Sequence, residues 1–297
     1  MRNIAMKNTH RSPISLRLLS RLFLAGLSAA LLTGCVTSQD MAKALSDPSR
    51  LSAAVAPKAM TPEAEKNLGK TSAALLLGAA PLVRNDALQA YVNRVGRWVA
   101  SQTGRNDIDW SFGVIDTPNV NAFATPGGTI LITRGLFARL KNEAELAGVL
   151  GHEIAHVTER HYVKAAQKKE QAGALAGIAS DLTAQNNSAL GKMAINLTRG
   201  IYTSGLDKDD EFDADRIGIA YAGRAGYHPY GLPQVLQMYA ANSGEAGFDL
   251  FFSTHPSPQD RLDRLGRLMD NQYAPLEANS VRDTASFRKM QEKFAQR

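Results

Sequence analysis

His152, Glu153 and His156 lie in the run Gly151-His152-Glu153-Ile154-Ala155-His156-Val157. On a helix, residues four apart share a face, so both imidazoles can reach one ion, and Glu153, rotated by about 100°, points at the position they leave open. Two ring nitrogens and an adjacent carboxylate are what a metal site needs to turn water into a nucleophile, and the spacing is a hydrolase signature. A catalytic metal of this kind takes three protein ligands plus water, so one more His, Glu, Asp or Cys must come from elsewhere in the chain. The extended pattern with its third ligand on the same segment requires glycine at 159 and histidine at 162; this chain has Glu159 and Tyr162, with His161 one residue out of register. Downstream, Asp210-Glu211-Phe212-Asp213-Ala214-Asp215 opens a second helix, and Glu211 and Asp215, four apart, repeat the one-face geometry. Glu211 suits a ligand, and Asp215 suits a carboxylate that fixes the tautomer of a metal-bound histidine. Asp207, Asp209, Asp210 and Asp213 read as acids favoured by the helix dipole, and His161 and His228 as structural.

Helices must hold these groups. Asn142 is placed to cap a helix whose first turn carries Glu143 and Glu145 and whose apolar stripe holds Leu146, Val149 and Leu150. Helical periodicity also runs through Asp86 to Ser101, Glu211 to Ala225, Leu232 to Ala241 and Gln259 to Met269. Trp110 to Ile115 alternates as a strand does, and Asn121 to Thr133, with Pro126-Gly127-Gly128 at its centre, reads as a hairpin. Lys164 to Thr203 reads as two helices with a break near Ala184 to Ser188, an insert that covers the site or packs beside it. The expected class is α+β, mainly helical, with a small sheet or hairpin beside the metal-bearing helix.

The net charge of +6 suggests a nucleic-acid partner only until its distribution is considered. Of the 34 basic residues, Arg2, Lys7, Arg11, Arg17 and Arg21 precede Gly34 in a stretch without an acid; 29 then remain against 28 acidic residues, so a nucleic-acid reading is rejected. That basic start leads into the apolar run Leu22 to Leu32, which as a helix spans about 16 Å of a roughly 30 Å hydrocarbon core and so fits a signal peptide over residues 1–34, not a membrane span. Leu32-Thr33-Gly34-Cys35 resembles the lipobox of bacterial lipoproteins, and Cys35 is the chain's only cysteine, so lipidation at Cys35 is expected. Val36, where aspartate would retain such a protein at the inner membrane, directs the anchor to the outer membrane, facing the periplasm. Residues 35–70, rich in small and polar types, are expected to be a lipidated tether with at most one weak helix, and residues 71–297 the enzymatic domain.

Several motifs in order resemble the HtpX-like and CAAX-prenyl-protease-like zinc metallopeptidases, a gluzincin group. They are Asn121-Ala122-Phe123-Ala124-Thr125-Pro126-Gly127-Gly128, Thr133-Arg134-Gly135-Leu136, the His152 to His156 motif, Arg160-His161, Glu211 to Asp215, Ala225-Gly226-Tyr227-His228-Pro229 and Ser253-Thr254-His255-Pro256. The usual Ser-Arg before the glutamate motif is here Asp207-Lys208, and no tandem helical-repeat domain follows residue 270. The resemblance implies a zincin-like fold and one Zn²⁺ held by His152, His156 and Glu211, with Glu153 as general base. It implies a supporting or proton-donating role for Asp215, and oxyanion stabilisation by His255 or, failing that, Arg261. It also implies that the segment Asn121, Ala122, Phe123 and Ala124 is an edge to which an extended peptide adds as a strand, so that unfoldedness matters more than sequence. Unfolded or misfolded envelope proteins are the expected substrates. Two rival readings are a metal-bound chaperone or assembly factor and a zinc hydrolase of non-peptide bonds; the intact Glu153 argues against the first, and no residue favours the second. No feature of the sequence sets an oligomeric state.

Overall fold

The computed structural model describes residues 60–177, 205–273, 275, 277 and 279–295. The leader, Cys35, the first part of the tether and residues 178–204, with the break expected near Ala184 to Ser188, lie outside them. The centre of the described part is helix α4 (Glu143–Thr158), in which every residue from Glu143 to Val157 is buried. Asn142 caps it by accepting from the Glu145 N–H at 3.0 Å, as the sequence implies. Around it run α1 (Pro62–Ala79), α2 (Asp86–Ala100), α3 (Arg134–Arg139), α5 (His161–Gly177), α6 (Lys208–Arg224), α7 (Gly231–Ala241), α8 (Asp249–Thr254), α9 (Pro258–Leu268) and α10 (Ala285–Ala295).

Three strands form a sheet, β1 (Ser111–Ile115), β2 (Ala122–Ala124) and β3 (Thr129–Thr133), in the order β1-β3-β2, with β2 and β3 against α4 and β1 against α2. β1 is parallel to β3 and β2 antiparallel to it, so β2 and β3 form the hairpin read from Pro126-Gly127-Gly128, with both glycines at positive φ (84° and 95°). Phe123 packs with Ala80, Ile115 and Leu131 on one face of the sheet, while Ala122, Ala124, Ile130 and Ile132 belong to the main core on the other.

Two departures from the sequence reading concern chain ends. The boundary drawn at residue 70 falls inside α1, whose start is set by Thr61 accepting from the Ala64 N–H at 3.2 Å and by Pro62 in the first turn. This helix carries mostly small side chains, which give no strong apolar period, and it is tied down at Glu65, whose carboxylate meets Arg160 at 2.7 Å. The C-terminal helix α10 has no counterpart among the expected elements: Phe287 and Phe294 pack on Phe137, and Gln291 donates to the carbonyls of Phe137 and Leu140. Glu143, expected only as a helix-dipole acid, is a buried hub that joins this segment to α4. It accepts from the hydroxyls of Tyr91 at 2.6 Å, Tyr227 at 2.8 Å and Thr284.

α4 and α6 touch backbone to backbone through a pair of glycines. A Cβ at Gly151 would lie 2.5 Å from the Gly218 carbonyl oxygen, and one at Gly218 would lie 2.5 Å from the His152 nitrogen. Gly218→Ala must therefore push apart the two helices that carry His152, His156 and Glu211. We expect a loss of about 1–3 kcal/mol in urea denaturation together with weaker metal binding; an unchanged midpoint and affinity would mean that the close approach is dispensable.

Candidate active site

α4 sets His152 and His156 one turn apart with their Nε2 atoms 3.0 Å from each other. α6 brings Glu211 against them: its Oε1 is 3.5 Å from His156 Nε2 and its Oε2 is 3.6 Å from His152 Nε2. All three residues are buried. Tetrahedral ligand atoms bound at about 2.0–2.1 Å lie about 3.3 Å apart, so this spacing matches one zinc-sized cation. The donor set fits as well, because the buried Glu211 Oε2 and Glu153 Oε2 have no hydrogen-bond partner, a costly condition that a cation beside them relieves.

The electrostatics agree with that reading. Burial lowers the pKa of His152 and lowers that of His156 well below the ordinary value, which favours the neutral imidazole, the form that can bind a metal. Burial pushes the Glu211 carboxyl well up and Glu153 up to about 8, opposed in both cases by the charge of Arg261 and, for Glu153, by the Ala124 N–H, which donates to it. Burial acts on Asp215 in the same direction, but Arg261 and His152 override it and hold its carboxyl down at about 2.

Asp215 lies one turn beyond Glu211 on α6 and accepts from His152 Nδ1 at 3.0 Å, leaving Nε2 to face the ligand cluster. Its oxygens also accept from Arg261 Nη2 at 2.5 Å and Nε at 2.8 Å. Arg261, from α9, is only 1% exposed, and its remaining Nη1 lies 3.6 Å from Glu211 Oε2. The side chain expected to offer support to a reacting group thus fixes Asp215 through Nε and Nη2 and leaves Nη1 buried beside Glu211 without a hydrogen-bond partner.

His255 caps the C-terminal end of α8, stacked on Phe251 at 4.7 Å, and Phe251 is in turn stacked on Tyr239 at 3.6 Å. Its Nε2 is 3.9 Å from Glu211 Oε2, and His152, Glu153 and His255 form a second triad of converging ligand atoms. His255 therefore stands over the same centre, on the side where Glu153 lies. The cavities beside it are small, about 20 Å³ between Val149, Glu153 and Tyr239 and about 10 Å³ between Phe123, Tyr162 and Glu211. Each holds about one water.

The segment expected to receive a peptide is an edge strand among the described residues, but its outward donors are engaged. The Ala122 N–H donates to Asn121 Oδ1 at 2.9 Å and the Ala124 N–H to Glu153, while Phe123 turns its ring into the smaller core cluster. An added strand has to displace both acceptors and widen the cleft.

Two site residues escaped the sequence reading. His161, which reads as structural in the sequence, has its Nδ1 2.9 Å from His156 Nδ1, and its Nε2 lies 3.5 Å from Asp210 Oδ1, an acid assigned only to the helix dipole. The helix stops at Thr158 and Arg160 takes a left-handed φ of 58°, which turns His161 back toward the site.

A buried two-histidine, one-glutamate centre with an adjacent free carboxylate defines a metal-dependent hydrolase. The chain belongs to peptidase family M48, a metallopeptidase family, whose pattern it matches across residues 86–269. It is 30% identical over 231 residues to the beta-barrel assembly-enhancing protease of Escherichia coli (strain K12), covering 74% of this chain and 46% of that protein. It is 32% identical over 231 residues to the putative beta-barrel assembly-enhancing protease of Vibrio cholerae serotype O1, covering 75% and 47%. It is also 30% identical over 179 residues to the mitochondrial metalloendopeptidase OMA1 of Schizosaccharomyces pombe, covering 59% and 51%. The chain thus spans about half the length of the curated relatives it matches.

Proposed function

We propose that the protein is a zinc-dependent endopeptidase of the bacterial cell envelope that cuts unfolded or misfolded outer-membrane proteins. The observation that carries the reading is the buried convergence of His152, His156 and Glu211 beside the unpartnered oxygen of Glu153. Held by His152, His156 and Glu211, zinc would supply Lewis acidity, polarising the scissile carbonyl and lowering the pKa of water toward neutrality. Glu153 takes the proton of the attacking water and passes it to the leaving amine. Asp215 and Arg261 hold His152 and Glu211 in place, and His255, on the side of the centre where Glu153 lies, is the donor assigned to the oxygen on which negative charge develops. The strand Asn121 to Ala124 is the edge assigned to substrate, through backbone pairing.

The envelope location rests on the leader and the lipobox at Cys35, which anchor the chain to the outer membrane facing the periplasm. Among the described residues no helix is long and apolar enough to cross a membrane. The names of the bacterial relatives, which refer to β-barrel assembly, support outer-membrane proteins as the substrate class, and the motif order supports the HtpX-like and CAAX-prenyl-protease-like branch.

Digestion of casein, an unfolded protein, tests the reading. We expect cleavage by the zinc-loaded protein, none after chelation, and recovery on returning zinc. Binding of casein without metal-dependent cleavage would instead identify a holdase.

A further inference from the structure

We infer that His161, backed by Asp210, is the positioning residue that presents Nε2 of His156 to the metal. This rests on the reading of His156 as a ligand. His156 Nε2 faces the cluster, 3.0 Å from His152 Nε2 and 3.5 Å from Glu211 Oε1, while its Nδ1 is 2.9 Å from His161 Nδ1. Between two ring nitrogens in contact there is one proton, and which ring carries it fixes both tautomers.

If His156 binds a cation through Nε2, that atom carries no proton, so Nδ1–H donates to His161 Nδ1. The proton of His161 then sits on Nε2, which faces Asp210 Oδ1 at 3.5 Å. The reverse assignment puts a proton on His156 Nε2, where it blocks metal binding, and turns an unprotonated His161 nitrogen toward a carboxylate, lone pair to lone pair. The first arrangement leaves Nε2 of His156 bare for a cation, beside the equally bare Nε2 of His152 at 3.0 Å, and gives the His161–Asp210 contact its proton.

The backbone is bent to bring this pair together. In an uninterrupted helix, residues five apart are rotated by about 140° and separated by about 7.5 Å along the axis, so rings at 156 and 161 would not meet. Instead α4 ends at Thr158 and Arg160 adopts φ 58°, the only positive φ at a non-glycine among the described residues. A left-handed conformation at such a residue costs on the order of 1–2 kcal/mol, and it is held here by Arg160 Nη2 against Glu65 Oε2 at 2.7 Å and the Met60 carbonyl at 3.3 Å. The result is His161 at the start of α5, 1% exposed, with its ring 5.1 Å from that of His156. The two ligand histidines are thus held differently: His152 directly by the carboxylate of Asp215, His156 through a neutral imidazole that keeps Asp210 a ring's width away. A second carboxylate in direct contact would add another buried negative charge beside Glu211 and Asp215.

Zinc competition with a chromogenic chelator and nitrogen-15 NMR of the histidine tautomers test this on the full protein. His161→Phe keeps the ring volume and removes the acceptor, and we expect zinc affinity to fall by about 10- to 100-fold. His161→Asn, whose side-chain oxygen can accept the same proton, should recover most of the loss. In the zinc-loaded protein His156 should carry its proton on Nδ1 and His161 on Nε2. Wild-type affinity in His161→Phe overturns the inference, as does a proton on His161 Nδ1 in the zinc-loaded protein, and the NMR measurement decides even where a variant fails to fold. His156→Ala separates the two readings. If it loses zinc while His161→Phe does not, only the positioning role falls; if it keeps zinc, the metal site itself was misread.

Discussion

Glu153→Gln retains metal and fold but loses hydrolysis, with kcat falling by about 100- to 10,000-fold on an unfolded substrate. The amide has the shape of the carboxylate and still offers an oxygen to the Ala124 N–H, so the surroundings of β2 and α4 have no reason to move. What it cannot do is take a proton. Burial pushes the Glu153 carboxyl up to about 8, against the charge of Arg261, so this is a group whose environment favours holding a proton once one is delivered. Measurement of kcat, bound zinc and the urea midpoint on the same preparation checks the three parts together. Undiminished cleavage would remove Glu153 from the mechanism, and lost zinc would mean that it is a ligand instead.

Arg261→Met should be the most destabilising of these single changes, by about 3–5 kcal/mol at neutral pH, because it leaves the Asp215 carboxylate buried without its counter-charge. Adding Asp215→Leu to the same protein should recover much of that loss while abolishing tight metal binding, since two apolar side chains can fill the volume but cannot orient His152. The pH dependence has a definite sign. In the unmodified protein the Asp215 carboxyl is held at about 2, below its ordinary value of 3.8, so its contribution to stability is present above about pH 4 and is lost as the pH falls toward 2. Without Arg261, burial is opposed by His152 alone and the same carboxyl moves up, so the variant loses less stability than the unmodified protein as the pH drops. The gap between the two proteins should narrow between pH 7 and pH 3 in chelator-treated urea titrations. A constant gap would mean that Arg261 acts through packing and not through the charge of Asp215.

The site was legible where its geometry is local. His152 and His156 share a face because a helix repeats every 3.6 residues, and Asn142 marks where that helix begins. Glu211 and Asp215 were legible for the same reason, one helix away, and the hairpin was readable from its Pro-Gly-Gly turn. The contents of the second contact layer were not. Arg261 sits on an exposed-looking amphipathic helix, and only the docking of α9 onto α6 buries it. Glu143 had the composition of an ordinary first-turn acid, yet three hydroxyls from α2, the segment after α6 and the segment before α10 converge on it. His161 looked one residue out of register because the register assumed an unbroken helix.

From sequence alone came the His-Glu-x-x-His pattern, the carboxylates proposed as base and third ligand, and the helical frame, because hydrogen bonding along a helix fixes which side chains share a face whatever surrounds it. Tertiary structure decided how close α4 and α6 approach, which glycines permit it, how burial and Arg261 shift each carboxyl, and which histidine nitrogens meet. Those depend on burial and on contacts between residues far apart in the chain, where a shift of one ångström changes a desolvation cost by more than any local preference can report.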